Sequence, residues 1–252
     1  MYILGVNAYH GDSSACLLKN GVIVAAIEEE RIRRIKHWAG FPSESIKFCL
    51  KYEGISLNKV DYITISRDPK ANFYKKLFYA LRSSVKFTSI MDRVKNHRRI
   101  NLIENDFSSF FDVSLIQIKK RIYNIEHHRS HIASAFFASR FNKSAIISID
   151  GFGDFTSTMT AIGEGNSFKV LDEVNFPHSL GVFYTSVTQF LGFLNYGDEY
   201  KVMGLSSYGK PVYLDCLKEI VYMTSDGFFK LNKKYFKHFQ NGINMSWENG
   251  MP

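Results

Sequence analysis

The first thirty residues contain three short apolar segments, MYILGVNA, SSACLLKN and VIVAAIEEE, separated by turn residues. Asn20-Gly21 lies between the last two segments, and this dipeptide favours a two-residue β-hairpin turn because both residues tolerate a left-handed backbone. The opening of the chain is therefore predicted to be an antiparallel meander of three strands.

Helical and strand patterns alternate along the rest of the chain. A helix is predicted from Ser43, as its N-cap, to a stop at Gly54. Further strands are predicted at VDYITISRD, RIYNIEHH, SAIISIDGFGD, STMTAIGEG and SFKVLDEVNF, and further helices at SHIASAFFASR and SLGVFYTSVTQFLGF. Antiparallel strands followed by a helix and more strands predict an RNase H-like α/β fold, a mixed sheet flanked by helices. We expect one domain over 1–215, with a basic helical insertion at 68–120, and the start of a following region over 216–252.

Composition narrows the class of protein. With 252 residues, 45% of them hydrophobic, the chain can bury a proper core. It has no apolar run of about 18 residues and no secretory leader pattern, so we expect a cytoplasmic protein without a membrane span. The three cysteines are far apart and in apolar contexts, which indicates buried thiols rather than disulfides or a cysteine zinc site.

The positive charge is concentrated in one segment. Between Arg67 and Arg121 there are 13 Lys/Arg and 5 Asp/Glu, which accounts for the whole net charge of +8. One interpretation is binding of nucleic acid or another anion. The other, which we favour, is a solvated amphipathic insertion whose aromatic residues pack inward at helical spacing. These aromatic residues are Phe73, Tyr74, Phe78 and Tyr79.

Three of the eight histidines fall inside the five residues HHRSH. On a helix, His127 and His131 share a face while His128 points elsewhere. Asp150 ends the apolar strand SAIISID before a Gly-rich turn, and it would complete a mixed nitrogen and oxygen ligand set suited to Fe(II) or Zn. The alternative is that these are ordinary histidines at a helix start.

The turn after the first strand, YHGDSS, is a second candidate site. His10 could act as a general base near neutral pH, and the hydroxyl and amide groups of Ser13 and Ser14 could hold an oxyanion. An Asx/Ser turn that only joins two strands explains Asp12 and the serines equally well.

Two further motifs are less specific. EEERIRRIKHWAGFP pairs an acidic run with Lys36, His37 and several arginines, and by itself indicates a salt-bridged surface. GDEYKVMGLSSYGKP places Glu199 and Lys201 among three glycines, without indicating a reaction.

Six segments in order resemble the N-terminal half of NodU/CmcH-type O-carbamoyltransferases, from about Ile3 to Pro211. They are NAYHGDSSACLL, EEERIRRIKH, EHHRSHIASAFF, IDGFGD, FPHSLGVFYTSVTQFLGF and EYKVMGLSSYGKP. The resemblance implies an actin-like ATPase (ASKHA) fold, shared with the tRNA threonylcarbamoyladenosine enzymes. It also implies synthesis of carbamoyl-adenylate from carbamoyl phosphate and ATP with Mg, followed by transfer to a hydroxyl group of a small-molecule acceptor.

The resemblance also implies roles for individual residues. By resemblance His127, His131 and Asp150 are iron ligands, and His10 lies beside the acceptor hydroxyl. We assign catalysis to His10 and Asp12. We assign substrate or nucleotide binding to Ser13, Ser14, Lys36, His37, Gly151, Gly153, Glu199 and Lys201.

Departures from the family keep alternatives open. A further aspartate ligand, the second half of the ATPase-like fold and an adenylate-forming domain are expected beyond Pro252, in the same chain or in a separately encoded one. A threonylcarbamoyl transferase is a second candidate, although its motif has Glu between the two metal histidines where this chain has HHRSH. A non-catalytic half-domain that needs a partner chain is a third. A specific nucleic-acid partner is not expected.

Overall fold

The computed structural model describes residues 1–82 and 103–241. They divide into two compact units, unit 1 with residues 1–71 and 103–127, and unit 2 with residues 72–82 and 128–241. The domain boundary expected at residue 215 stays a prediction. The part of the basic insertion from 83 to 102 lies outside the described residues.

Unit 1 is built on a five-stranded mixed sheet with the order β3-β2-β1-β4-β5. Its strands are β1 (Tyr2–Asn7), β2 (Ser14–Lys19), β3 (Val22–Glu28), β4 (Tyr62–Ile65) and β5 (Ile122–Asn124). The first three strands form the predicted antiparallel meander, whereas β4 pairs parallel with β1, and β5 pairs parallel with β4. This mixed order, flanked by helices, confirms the predicted RNase H-like α/β class.

The turn residues of unit 1 adopt the backbone conformations that the sequence predicts for them. Asn20 and Gly21 both have positive φ, 52° and 84°, and they join β2 to β3 as a tight hairpin. Gly54, with φ of 70°, caps the end of a helix over Ser43–Glu53. The predicted N-cap at Ser43 is wrong, because Pro42 is the N-cap residue and makes no side-chain capping bond.

The helices of unit 1 cover an apolar core. They are α1 (Glu29–Arg33), α2 (Ser43–Glu53), α4 (Ile103–Phe111) and α5 (Leu115–Lys119), with α3 (Phe73–Arg82) belonging to unit 2. Leu4, Leu17, Ile46 and Ile63 are fully buried between sheet and helices. Phe107 of α4 joins the same core, so the final part of the predicted insertion contributes to unit 1.

Unit 2 is built on a three-stranded antiparallel sheet, β6-β7-β8. Its strands are β6 (Lys143–Gly153), β7 (Thr156–Glu164), β8 (Ser167–Asn175), β9 (Val221–Met223) and β10 (Phe229–Leu231), of which the last two form a separate hairpin. Its other helices are α6 (His127–Phe137), α7 (Leu180–Phe190), α8 (Glu199–Ser206), α9 (Leu214–Ile220) and α10 (His238–Asn241). The boundary between the units falls after the first residue of α6.

Helix α6 is seated on the sheet by a close approach at Gly163 of β7. A Cβ atom on Gly163 would lie 2.6 Å from the ring of Phe136. Phe136 is 3% exposed and packs with Ile132, Ile146 and Met159. The absence of a side chain at Gly163 therefore allows the C-terminal half of α6 to lie close to the sheet.

Two expectations from the sequence are wrong. Three of the four aromatic residues of α3 do not pack inward, since Phe73 is 59% exposed, Tyr74 84% and Phe78 59%. Tyr79 packs edge-on against the rings of Phe155 and Phe176, and Phe73 and Tyr74 contact each other. Among the cysteines, Cys49 is buried as expected but Cys216 is exposed.

Within 1–82 and 103–241, helices that combine the length and the apolar character needed to cross a membrane are absent.

Candidate metal centre and the loop beside it

The three histidines of α6 lie in two different environments. His128 is fully buried, with its Nδ1 2.8 Å from the Ser148 hydroxyl and its Nε2 3.0 Å from the Thr156 carbonyl oxygen. Because a carbonyl only accepts, Nε2 carries the proton, and Nδ1 accepts from Ser148. His128 therefore fixes α6 to strands β6 and β7. This confirms that it does not share the face of His127 and His131.

His127 and His131 lie one helical turn apart in an unbroken helix, on the face that Asp150 approaches. The ligand atoms of His127, His131 and Asp150 all lie within 4.8 Å of one another, and His131 Nε2 is 3.5 Å from Asp150 Oδ2. The structure thus brings together the three residues predicted as ligands. Asp150 comes from the end of β6, where the backbone N–H of Gly151 donates to its Oδ1 over 2.6 Å.

His127 has a contact typical of a metal-ligating histidine. Its Nδ1 lies 3.3 Å from the carbonyl oxygen of Ser66, which directly follows β4. Donation from Nδ1–H to this carbonyl leaves Nε2 unprotonated, as metal binding requires.

His10 belongs to the loop between β1 and β2, and the structure brings it close to His127. Their ring centroids are 6.2 Å apart. His10 is exposed, and its Nδ1 is 3.1 Å from the Gly11 carbonyl oxygen. Two residues of this loop, Tyr9 and Asp12, have positive φ values of 57° and 63°, a conformation that is uncommon outside glycine. Such a backbone persists only where surrounding contacts hold it.

Those contacts come from the segment that follows α1. Ser13 is fully buried, and its single hydroxyl proton is shared between the carbonyl oxygens of His10 and Gly40, which lie 3.0 and 2.8 Å from its Oγ. Its backbone N–H donates to the Trp38 carbonyl oxygen over 3.0 Å. Ser14 begins β2 and pairs with Asn7. Ser13 therefore ties the two loops together.

Asp12 and His37, predicted from separate motifs, meet in a second polar group. His37 Nδ1 is 2.8 Å from Asp12 Oδ1, and the His37 backbone N–H donates to Glu30 Oε2 over 2.9 Å. Ligand atoms of Asp12, Glu30 and His37 also lie within 4.8 Å of one another. Glu30 was missed by sequence reasoning because it is one of three consecutive glutamates. Lys36, the neighbour of His37, is exposed.

The acidic run is only partly the surface ion-pair cluster that the sequence indicated. Arg31 makes exposed pairs with Glu28 and Glu30. Glu29, in contrast, is fully buried, and its Oε1 accepts from Arg33 Nε over 2.6 Å. The Arg33 guanidinium in turn lies 4.7 Å from the centre of the Trp38 ring. This partly buried pair thus supports the segment whose carbonyl groups hold Ser13.

Glu199 and Lys201 lie at the start of α8, and each contacts a neighbouring polar side chain. Glu199 accepts a hydrogen bond from Thr185 of α7, and Lys201 Nζ pairs with Asp198 Oδ1 at 2.6 Å. The hydrogen bond with Asp198 raises the pKa of Lys201 and lowers that of Asp198. The Thr185–Glu199 hydrogen bond joins α7 to α8, whereas the Lys201–Asp198 pair lies within the start of α8. A role in substrate binding stays a prediction, as it does for Gly151 and Gly153, which lie in β6 after Asp150 and not in the turn that the sequence indicated there.

Comparison with known proteins places this sequence among carbamoyltransferase-related chains. It matches the family model described as Carbamoyltransferase N-terminus over residues 2–249. It is 38% identical over 252 residues to the uncharacterized protein sll1178 of Synechocystis sp., covering 97% of this chain and 41% of that protein. It is 35% identical over 226 residues to the nodulation protein NolNO of Sinorhizobium fredii, covering 89% of this chain and 32% of that protein. The chain therefore spans about two fifths and one third of the length of these curated relatives.

Among solved structures, YeaZ from Pseudomonas aeruginosa matches with a TM-score of 0.36 and 12% identity, covering 70% of this chain and 67% of that chain.

Proposed function

Because this chain belongs to the carbamoyltransferase N-terminus family, we propose that it is the metal-holding and acceptor-activating part of an O-carbamoyltransferase. The reaction forms carbamoyl-adenylate from carbamoyl phosphate, water and ATP with Mg, releasing phosphate and pyrophosphate, and then transfers the carbamoyl group to a hydroxyl of a sugar or natural product. The observation that carries the proposal is the convergence of His127, His131 and Asp150, with His10 beside His127.

The donor set fits a divalent Fe or Zn ion. Ligands at a tetrahedral angle on an ion with bonds of about 2.1 Å lie roughly 3.4 Å apart. The separation of 3.5 Å between His131 Nε2 and Asp150 Oδ2 agrees with this value. The carbonyl of Ser66 supplies the outer partner that orients His127. Two imidazoles and one carboxylate leave further positions on the ion open to a substrate oxygen.

The bound ion would supply Lewis-acid polarisation of an oxygen atom placed on it. His10 would remove the proton of the acceptor hydroxyl. If its Nδ1–H donates to the Gly11 carbonyl, Nε2 is left with a lone pair that can accept this proton. As the new C–O bond forms, the bond between the carbamoyl carbon and the adenylate oxygen breaks, and AMP leaves with the electron pair. Asp12 and His37 form a hydrogen-bonded pair in the same loop region, where they would orient the reacting groups.

Metal analysis of two variants in the same helix tests the proposal. His131→Ala should abolish stoichiometric Fe or Zn in the purified chain, because it removes a direct ligand. His128→Ala is the matched control, since it removes a histidine three residues away that binds Ser148 and Thr156 instead. It should lower thermal stability but retain the metal. Equal metal content in wild type and His131→Ala would overturn the assignment.

A second experiment tests whether residues 1–252 form carbamoyl-adenylate by themselves. Residues 1–252, incubated with ATP and carbamoyl phosphate, should release no pyrophosphate, because we assign adenylate formation to the part of the relatives that these residues do not cover. Sustained pyrophosphate release that depends on carbamoyl phosphate would show that the described units form the adenylate themselves.

A further inference from the structure

The peptide bond between Asp150 and Gly151 is held by the first residues of α7. Ser179, the buried N-cap of this helix, donates its hydroxyl proton to the Asp150 carbonyl oxygen over 3.0 Å. The same Oγ accepts from the backbone N–H of Val182, also over 3.0 Å. One hydroxyl thus links the start of α7 to the end of β6.

Gly181 makes this approach possible. A Cβ atom at this position would lie 2.6 Å from the Gly151 nitrogen and 2.7 Å from the carbonyl carbon and oxygen of Asp150. These are backbone atoms, so no rotation of a side chain could relieve the clash. The φ of Gly181 is not in the left-handed region, so the requirement for glycine is one of space alone.

The clamped peptide controls the direction of the Asp150 carboxylate. Its N–H, on Gly151, donates to Asp150 Oδ1 over 2.6 Å, while Oδ2 faces His131 Nε2 at 3.5 Å. A rotation of the peptide plane would carry the N–H away from Oδ1 and release the carboxylate. We propose that Ser179 and Gly181 form a positioning device that fixes this peptide and so directs Asp150 towards His131. This inference rests on the proposed metal site, to which it adds two positioning residues.

Metal titration with Co(II), followed by its visible absorption, is the first test. Gly181→Ala and Ser179→Ala should each weaken Co(II) binding by about 10-fold or more, the usual effect of losing an outer-shell partner. Ser179→Thr keeps the hydroxyl and should recover much of the affinity. Gly204→Ala is the matched glycine control, because nothing lies within 4 Å of a Cβ atom there. Its affinity should equal that of wild type.

A destabilised control separates positioning from general loss of stability. Val182→Ala removes a buried side chain from the same helix end but keeps the backbone N–H that donates to Ser179, so it should lower Tm while leaving Co(II) affinity within about threefold of wild type, well short of the outer-shell effect. Should Gly181→Ala fail to fold, the Ser179 pair of variants answers the same question. Unchanged Co(II) affinity in folded Gly181→Ala or Ser179→Ala, or a loss in Val182→Ala as large as theirs, would overturn the inference.

Hydrogen exchange of the Gly151 amide in the metal-free protein provides a readout that does not depend on the metal. Its exchange should accelerate at least 10-fold in Ser179→Ala and stay unchanged in Gly204→Ala. If wild type binds no Co(II) but this acceleration is seen, the proposed metal function fails while the positioning device stands. If wild type binds Co(II) and the amide exchanges at the same rate in both variants, the device fails alone.

Discussion

Replacing Glu29 by Gln should destabilise unit 1 far more than the same change at the preceding residue, Glu28. The Glu29 carboxylate is fully buried, and besides Arg33 it serves the start of α2. Its Oε1 accepts from the Glu44 backbone N–H over 3.2 Å, and its Oε2 accepts from the backbone N–H and the hydroxyl of Ser45 at 2.7 and 2.8 Å. Glu29 therefore caps α2 from a neighbouring helix, where Pro42 offers no side-chain cap.

The size of the effect follows from these contacts. Glutamine is nearly isosteric, but one of its two terminal groups is an NH₂ that would face a donor, either Arg33 or the start of α2. A hydrogen bond to a charged group contributes about 1.5–3 kcal/mol, and breaking a buried ion pair costs about 3–5 kcal/mol. The Arg33 side chain is 30% exposed, so water can partly solvate it and the lower end applies. We expect a loss of about 3 kcal/mol, or roughly 6–12 °C in Tm.

Thermal and urea unfolding followed by circular dichroism measure this loss, and Glu28→Gln is the control. Glu28 pairs with Arg31 at the surface, where the two side chains are 44% and 66% exposed. Such a pair contributes about 0–1 kcal/mol. Amide exchange of Ser13, whose N–H donates to Trp38, should accelerate only in Glu29→Gln, since Arg33 packs on the Trp38 ring. Equal Tm values for the two variants would refute the assignment of Glu29 as a buried structural carboxylate.

Three further predictions follow from the described contacts. Burial and nearby lysines lower the pKa of His178 to about 4, so its neutral form stabilises the fold above pH 6.5. This stabilisation should be lost as the pH falls from 6.5 to 4. It amounts to at most about 3 kcal/mol, because one pKa unit corresponds to about 1.36 kcal/mol. Urea midpoints measured across this range should fall steeply in wild type and less in His178→Asn; parallel curves would contradict the prediction. Gly163→Ala should lower Tm by several degrees because the added Cβ meets the Phe136 ring. Adding Phe136→Leu to this variant should restore part of the lost Tm. An unchanged Tm in the single variant would contradict the prediction, because it would show that the ring can move aside freely. Native protein at pH 8 should react with a thiol reagent first at Cys216, which is exposed, and last at Cys49, because burial raises the pKa of the Cys49 thiol to about 11. Mass spectrometry of partly modified protein identifies the order of reaction. Early labelling of Cys49 would contradict its burial.

The metal group shows what sequence spacing can and cannot predict. The four-residue interval places His127 and His131 on one face of any helix that contains them, and an apolar run that ends in Asp-Gly places Asp150 at a strand end. The meeting of helix and strand depends on contacts that no periodicity reveals. His128 reaches two strands, Gly163 admits Phe136, and Gly181 admits the Asp150–Gly151 peptide. Each of these contacts joins two segments that are distant in the chain. In the sequence each is marked by one residue only, and one residue forms no periodic pattern that could be recognised.

The aromatic residues of α3 show the opposite case. Their helical spacing predicted burial, but three of the four are exposed in the structure. Phe73, Tyr74, Phe78 and Tyr79 recur at helical spacing, which favours a buried stripe. In the structure Tyr79 meets the rings of Phe155 and Phe176, whereas Phe73, Tyr74 and Phe78 are exposed. Spacing predicts that side chains share a face, but burial requires a second surface opposite that face. Among the described residues such a surface reaches only one end of the stripe.

The three glutamates before Arg31 make the same point for charge. The letters at 28, 29 and 30 are identical, but Glu28 ends β3 in an extended backbone, whereas Glu29 and Glu30 open α1, where successive residues point about 100° apart. Glu28 pairs with Arg31 at the surface, Glu29 faces the start of α2, and Glu30 faces the His37 backbone. The sequence alone favoured a solvated surface because most charge runs are solvated, and for Glu28 that prediction is right. It is wrong for Glu29 because Ser45 and Arg33 together supply donors for both carboxylate oxygens, and a buried carboxylate is stable only where donors meet it. A buried charge is thus predictable only after the donors opposite it are known. Here Arg33 lies in the same helix as Glu29, but the donors of Glu44 and Ser45 come from α2, a helix that begins fourteen residues later in the chain.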